Sequence, residues 1–277
     1  MLTSRYLGLE LPHPFVVGAS PMVDDLDRVR RLEDAGAAAI VMHSLYEEQL
    51  TLEELSTHDA LERHTDSFAE ATSYLPRPSE FALGPDEYLD QIFRLKKAVA
   101  VPVIASLNGT TLGGWLGYAQ LMEQAGADAL ELNLYAISTS MEESAHLIED
   151  RQVEVVRTVL DKVDIPVAVK LSPWYTALPH FAKRLDDIGV GGLVIFNRFL
   201  QADIDPEELD VDHRLQLSHS DELLPRLRWL AILAGRVRAS LAVTGGVHTA
   251  VDAVRAVMAG AHAVQLVSVL LRHGPES

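Results

Sequence analysis

Apolar residues along the chain gather into short runs, each following an amphipathic stretch and a turn of small residues. The turn recurs nearly unchanged four times: DAGAAAIV at Asp34–Val41, QAGADALEL at Gln124–Leu132, IGVGGLVIF at Ile188–Phe196 and MAGAHAVQL at Met258–Leu266. A glycine just past a helix end accepts the left-handed backbone that stops the helix, and a strand follows at once. Three more strands open on X-Pro, which biases the preceding residue away from helix. These are HPFVVGAS from His13, VPVIAS from Val101 and IPVAVKLS from Ile165. SLAVTGG from Ser240 opens without either device.

The pattern predicts strands near residues 14–19, 38–43, 102–106, 128–133, 166–171, 191–197, 240–244 and 262–267. Helices are predicted near 25–35, 86–99, 112–125, 143–162, 177–187, 224–236 and 249–259. Apolar strands alternating with helices pair in parallel through right-handed crossovers. Eight of them in one chain of 277 residues predict an α/β protein, a (β/α)8 TIM barrel, as a single domain over 1–277. An open doubly wound sheet is the alternative. Two connections are long, about 44–85 after strand 2 and about 198–223 after strand 6. Both follow strand ends, so both are expected over the catalytic face, as lids or as a decorated rim. The first holds a helical pattern at Leu50–Arg63, and the second is acidic from Asp203 to Asp212. After the last strand only VLLRHGPES remains, too short for a full eighth covering helix. The expectation is a truncated chain or a gap covered by another subunit.

Aromatic residues make up 6% of the chain against 48% hydrophobic, so the core must be built from Ala, Val, Leu and Ile. The formal charge of −17 argues against nucleic-acid partners, because binding by counterion release needs a Lys/Arg surface. A single phosphate held by backbone N–H groups remains compatible with it. The absence of cysteine removes disulfides, thiolate metal ligands and a cysteine base. With no HExxH, Cys/His cluster or Walker loop, a metal is not expected. No basic-plus-apolar leader and no long apolar run appear, so the expectation is a cytoplasmic protein without a membrane partner.

In a barrel, polar residues at the C-terminal strand ends face the active-site mouth. Here these are Ser20, His43 with Ser44, Ser106 with Asn108, Asn133, Lys170 with Ser172, Asn197, and finally Gln265 with Ser268. Lys170 closes a strand otherwise made of Val, Ala and Leu. It is either a cation facing a developing anion or a lysine reaching for solvent. In ALELNLY, Glu131 and Asn133 alternate with apolar residues; an inward Asn offers donors and an acceptor to a heterocycle edge. It reads equally as a satisfied core amide. Gly245-Gly246 before a helix from about Thr249 has the form of a phosphate cradle after strand 7. His43 alone reads more readily as structural.

The segments GLELPHPFVVGAS, VPVIASLNG, the QAGADALELN run, VAVKLSP, VTGGVHTAVDAVRAVMAGAHAVQLVS and HGP, in this order, resemble the dihydroorotate dehydrogenase family of FMN-dependent barrels. The resemblance implies FMN as cofactor and dihydroorotate or a similar small molecule as substrate. It implies that Ala19 and Ser20 line the flavin edge, with His43 and Ser44 beside it at the end of strand 2. Asn108 and Asn133 would bond flavin or substrate, and Asn197 would lie close by. Lys170 would face the flavin N1/C2 carbonyl region. Ser218, Gly245, Gly246 and the Gln265–Ser268 segment would contact the cofactor towards its phosphate. A homodimer is a possibility the family offers.

The chain also departs from the family. His43 stands where a lysine is usual, SYLPRPSEFALGP does not match the orotate-binding stretch, and NLYAISTS replaces the Asn-x-Ser-Cys-Pro loop with its base. Ser138 is the candidate base by position, with Thr139, Ser140 and Tyr135 as others. Lys170, Asn133 and Ser138 thus form the expected catalytic set. Three other functions stay open: an FMN oxidoreductase of another substrate, a Schiff-base lyase or aldolase using Lys170, and a non-catalytic flavin-binding subunit.

Overall fold

The computed structural model describes residues 2–46, 84–109, 111–113, 116–134, 137–198, 203–207, 209–212 and 216–275. The patterns at Leu50–Arg63 and in the Pro-rich turn, and the candidate Tyr135, lie outside them. Near the N-terminus β1 (Ser4–Tyr6) and β2 (Leu9–Leu11) form an antiparallel hairpin. Then come β3 (Phe15–Val17), β4 (Ile40–Tyr46), β5 (Val103–Asn108), β6 (Ala129–Asn133), β7 (Val167–Leu171) and β8 (Gly192–Ile195). A second hairpin, β9 (Asp203–Asp205) and β10 (Asp210–Asp212), precedes β11 (Ser240–Thr244) and β12 (Ala263–Leu266). The eight strands β3–β8, β11 and β12 pair in parallel, and β12 returns to β3 to close the barrel. Closure removes the open-sheet alternative.

The covering helices are α1 (Leu26–Asp34), α2 (Pro85–Ala98), α3 (Leu116–Gln124), α4 (Ala145–Leu160), α5 (Leu178–Asp187), α6 (Leu223–Leu233) and α7 (Ala250–Met258). A six-residue helix, α8 (Ser268–His273), follows the last strand. No helix among the described residues is long and apolar enough to cross a membrane. The four repeated turns hold Gly36, Gly126, Gly189 and Gly260 at φ between 96° and 110°, a region that glycine enters without penalty.

The N-terminal hairpin does not show in the apolar pattern, and the reason lies in how it packs. Val16, Val41, Ile104, Ala129, Ala168, Val194, Ala242 and Ala263, one from each barrel strand, are buried together with Tyr6, Leu7 and Leu11. Four of the eight strand positions are alanine, so the ring leaves space that the hairpin fills. Leu7 and Gly8, both at positive φ, make the tight turn, the combination a two-residue hairpin loop requires. The fit is close, since a Cβ on Gly192 would lie 2.7 Å from Leu7 Cδ2.

Carboxylates late in alternate helices brace the entries to later strands. Glu33 of α1 accepts from the Ala100 and Val101 N–H groups ahead of β5, and Glu123 of α3 from Asp164 and Ile165 ahead of β7. Asp186 of α5 accepts from Arg238 and Ala239 N–H, both at 2.8 Å, ahead of β11. Burial alone would raise the Asp186 carboxyl, but the Ala239 N–H and the Arg238 guanidinium outweigh it and hold it below the usual range. A depressed carboxyl stabilises the fold above its unfolded-state value and loses that contribution as pH falls through the folded one. Replacing Asp186 with asparagine should therefore cost about 1–3 kcal/mol at neutral pH. In urea melts the gap to the wild type should close below about pH 3.9; a gap independent of pH would refute this account.

Candidate active site

The barrel interior changes from apolar to polar towards the C-terminal strand ends. Side chains alternate inward and outward along a strand, and two residues beyond the apolar ring the inward positions include Ser106, Glu131, Lys170 and Gln265, all buried. Two further on, Asn108, Asn133 and Ser172 are also buried. The parallel register sets Ser106 beside Glu131 and Asn133 beside Lys170. An irregularity in β4 between Val41 and Ser44 re-aims its end, as bulges near strand ends do. Ser44 Oγ then lies 2.8 Å from Ser106 Oγ, and Asn133 Nδ2 donates to both hydroxyls at 2.7 and 3.1 Å. Tyr88 of α2 braces this end, its hydroxyl accepting from Ser106 N–H and lying 2.9 Å from the His43 carbonyl. Burial foremost pushes that phenol far above its ordinary range, so it stays neutral.

Lys170 does not reach for solvent. Its Nζ donates to Glu131 Oε1 at 3.0 Å, and Gln265 Nε2 reaches across the barrel to Glu131 Oε2 at 2.5 Å. The Glu131 side chain is 0% exposed and that of Lys170 7%, which sets the ammonium on the mouth side of the carboxylate. Sequence reading noticed Glu131 but did not pair it with Lys170. Counting inward parity on two adjacent strands would have joined them.

Among the described residues, buried polar atoms at this end without a hydrogen-bond partner include Ser20 Oγ, Asn133 Oδ1 and Gln265 Oε1. Asn133 Oδ1 and Gln265 Oε1 are amide oxygens, which only accept, so a ligand carrying N–H or O–H groups would satisfy them. A flavin ring, with its imide N–H, has the chemistry to do so. Ala19 is half-buried against the apolar ring below. His43 Nδ1 lies 2.5 Å from Asp24 Oδ1, off the line of a hydrogen bond, and its ring meets Tyr88 edge-on at 5.1 Å. Asn197 is half-buried, its Oδ1 accepting from the next backbone N–H.

A second polar cluster forms around β11 and β12. Ser218 is buried; its Oγ accepts from Gly246 N–H at 3.2 Å and lies 3.0 Å from His248 Nε2. Its own N–H donates to Ser268 Oγ. Burial first, then the nearby Arg272 charge, lower the His248 imidazole. The start of α7 is already capped, because Asp252 accepts from the His248 and Thr249 N–H groups and from Ser220 Oγ. The Asp252 carboxylate at this helix start disfavours a second anion there, so a phosphate would sit towards Ser218, His248 and Ser268. The glycines themselves are required by packing: a Cβ on Gly245 would lie 2.9 Å from Arg226 Nη2, and one on Gly246 2.5 Å from Leu223 N.

Ser138 stands apart from both clusters. It is exposed and donates to Glu143 Oε2 at 3.1 Å. Arg151 and then Ser138 itself, by hydrogen bonds, hold Glu143 below the usual carboxylate range. Thr139 and Ser140 are exposed on the same loop.

Residues 81–277 match the family model described as dihydroorotate dehydrogenase. A putative dihydroorotate dehydrogenase A (fumarate) of Aeropyrum pernix is 30% identical over 181 residues, covering 64% of this chain and 58% of that protein. The catalytic subunit of a dihydroorotate dehydrogenase B (NAD(+)) of Thermoplasma acidophilum is 24% identical over 281 residues, 99% of this chain and 88% of that one. Its counterpart in Methanothermobacter thermautotrophicus is 25% identical over 289 residues, with 100% and 89% covered.

Proposed function

Because the chain belongs to the dihydroorotate dehydrogenase family, we propose that it is an FMN-dependent oxidoreductase that removes hydride and a proton from dihydroorotate or a related small dihydro compound. The observation that carries this reading is Lys170, held as a buried cation at the barrel mouth by Glu131. FMN, when bound, supplies the hydride acceptor. Lys170 offers positive charge where negative charge develops on the ring, in a site too dry for water to screen it. Asn133, Gln265 and Ser20 have free hydrogen-bonding capacity to orient ring and substrate. Ser218, His248 and Ser268 would hold the phosphate end.

The candidate proton acceptor in this reading is Ser138, which donates to Glu143 and would have to approach the mouth when substrate binds, since it stands apart from both polar clusters here. Ser138 takes the substrate proton while its own passes to Glu143 and then to water. Arg151 holds the Glu143 carboxyl below the usual range, so in this reading it hands the proton on to water rather than retaining it. A Schiff-base lyase needs a free amine as nucleophile, whereas the Lys170 Nζ is engaged as a donor to the Glu131 carboxylate at 3.0 Å. That pair also speaks against reading the lysine as a solvent-seeking side chain.

The purified protein is expected to be yellow, with flavin absorbance near 450 nm, roughly the value for any oxidised flavin. Anaerobic dihydroorotate should bleach it. A flavin that persists unbleached would retain the cofactor reading and reject this substrate in favour of another dihydro compound. A colourless protein that takes up no added FMN, with borohydride trapping a carbonyl compound on Lys170, would overturn the oxidoreductase reading.

A further inference from the structure

The Lys170–Glu131 pair sits inside the barrel rather than on its surface, and this makes the carboxylate more than a neighbour. A buried ammonium without a counter-charge sheds its proton or unfolds the chain. Among the described residues, the counter-charge paired with Lys170 is Glu131 at 3.0 Å. Glu131 is in turn fixed from the opposite wall by Gln265. Among the described residues, two phenols also feel the Glu131 charge: Tyr6 of the N-terminal hairpin and Tyr88 of α2. Burial, with the charge of Glu131 added, pushes both well above their ordinary range, so neither supplies charge of either sign.

We propose that Glu131 is a positioning residue: together with Gln265 it keeps Lys170 charged and aimed at the mouth, and thereby sets how strongly the site favours negative charge on its ligand. The inference rests on the FMN reading for what that charge acts upon, but not for the state of the pair itself. The carboxylate does this without contact with the ligand, since its side chain is wholly buried beneath the ammonium.

The test compares the wild type, Glu131→Gln, and the double variant Glu131→Gln with Lys170→Met, in two measurements. The first uses no flavin. In Glu131→Gln the unpaired ammonium is disfavoured in the fold but not in the unfolded chain, so protonation destabilises. Stability is then lost as pH falls and recovered as it rises. The melting temperature of this variant should climb by about 5 °C or more relative to the wild type between about pH 6 and pH 9. The double variant, with neither charge, should track the wild type across that range. Should the single variant fail to fold while the double variant folds, the result supports the same conclusion.

The second measurement loads the three proteins with FMN and titrates sulfite, whose addition to a flavin is favoured by nearby positive charge. Relative to the wild type at the same pH, Glu131→Gln should match at low pH and weaken about tenfold or more at high pH. Equal melting slopes for all three proteins, with sulfite affinity in Glu131→Gln parallel to the wild type throughout, would show that Glu131 only fills space. A chain that takes up no FMN removes the flavin reading, while the melting series still decides the role of Glu131.

Discussion

Substituting methionine for Lys170 is expected to slow reduction of the bound flavin by substrate about 10²–10³-fold, the range seen when one preorganised charge or donor at a developing anion is removed. Methionine keeps the length of the stem and removes the ammonium, so packing along β7 is disturbed little. The rate loss follows from where the charge sits. Lys170 is buried at the mouth, 7% exposed in its side chain, and water cannot substitute for it as it would on a surface. A second effect accompanies the first. Glu131 is left wholly buried without its cation, a situation that costs about 3–5 kcal/mol in comparable pairs. The variant should thus be slower and less stable, and adding Glu131→Gln should return stability without returning rate. Anaerobic stopped-flow of flavin reduction and urea melts of both variants measure the two effects separately. Unchanged reduction kinetics in Lys170→Met would remove the lysine from the mechanism.

Gly246→Ala should be the most damaging single-methyl change at the strand ends. Gly246 has φ +82°, which a Cβ disfavours, and that Cβ would lie 2.5 Å from Leu223 N and 2.9 Å from Leu223 Cα. These are backbone atoms at the start of α6 and cannot swing aside as a side-chain tip would. The expected loss is about 3–5 kcal/mol, the range of strained or overpacked positions. Gly246 N–H also donates to Ser218 Oγ, so displacement would open the Ser218–His248–Ser268 cluster and lower the flavin content. Gly36→Ala provides the control. Gly36 is at φ +99° with nothing within 4 Å of its would-be Cβ, so only the backbone penalty of about 1 kcal/mol applies. Urea melts and the flavin-to-protein ratio of the two variants should differ sharply, and equal losses would show that the contact with α6 yields easily.

The barrel was legible because its signals are local. Each repeated turn carries its own glycine, and each X-Pro marks its own strand, so the eight barrel strands appear where the pattern puts them, to within a few residues. The β1–β2 hairpin was not legible, since three-residue strands carry too little alternation. Its value, filling a ring half made of alanine, exists only once the barrel closes. Lys170 was legible as an oddity within its strand. Its pairing with Glu131 and the bond from Gln265 depend on register and on opposite walls meeting, which no local pattern records. The capping of α7 by Asp252 falls between these cases. Thr249 and Asp252 have the spacing of a capping box, which already sets a carboxylate at the helix start.

Glu131 and Gln265 occupy the same place in the repeated segment, ALEL against AVQL, on strands four apart in either direction round the ring. HPFVVGAS and IPVAVKLS stand in the same relation, which sets Ser20 against Ser172 and Gly18 against Lys170. In these two pairs the first four barrel strands and the last four carry matching segments on opposite sides of the ring, and the polar residues differ where the match is broken. A symmetric molecule would face carboxylate with carboxylate and ammonium with ammonium. Here the second half replaces the carboxylate with an amide, and the first has glycine in place of the lysine. Packing enforces the difference, because a Cβ on Gly18 would lie 2.6 Å from Val267 Cγ2 and 3.2 Å from Gln265 Cβ. A flat ligand entering the mouth would meet the Lys170 ammonium on one wall and Gly18 on the wall opposite, so the two walls offer it different chemistry.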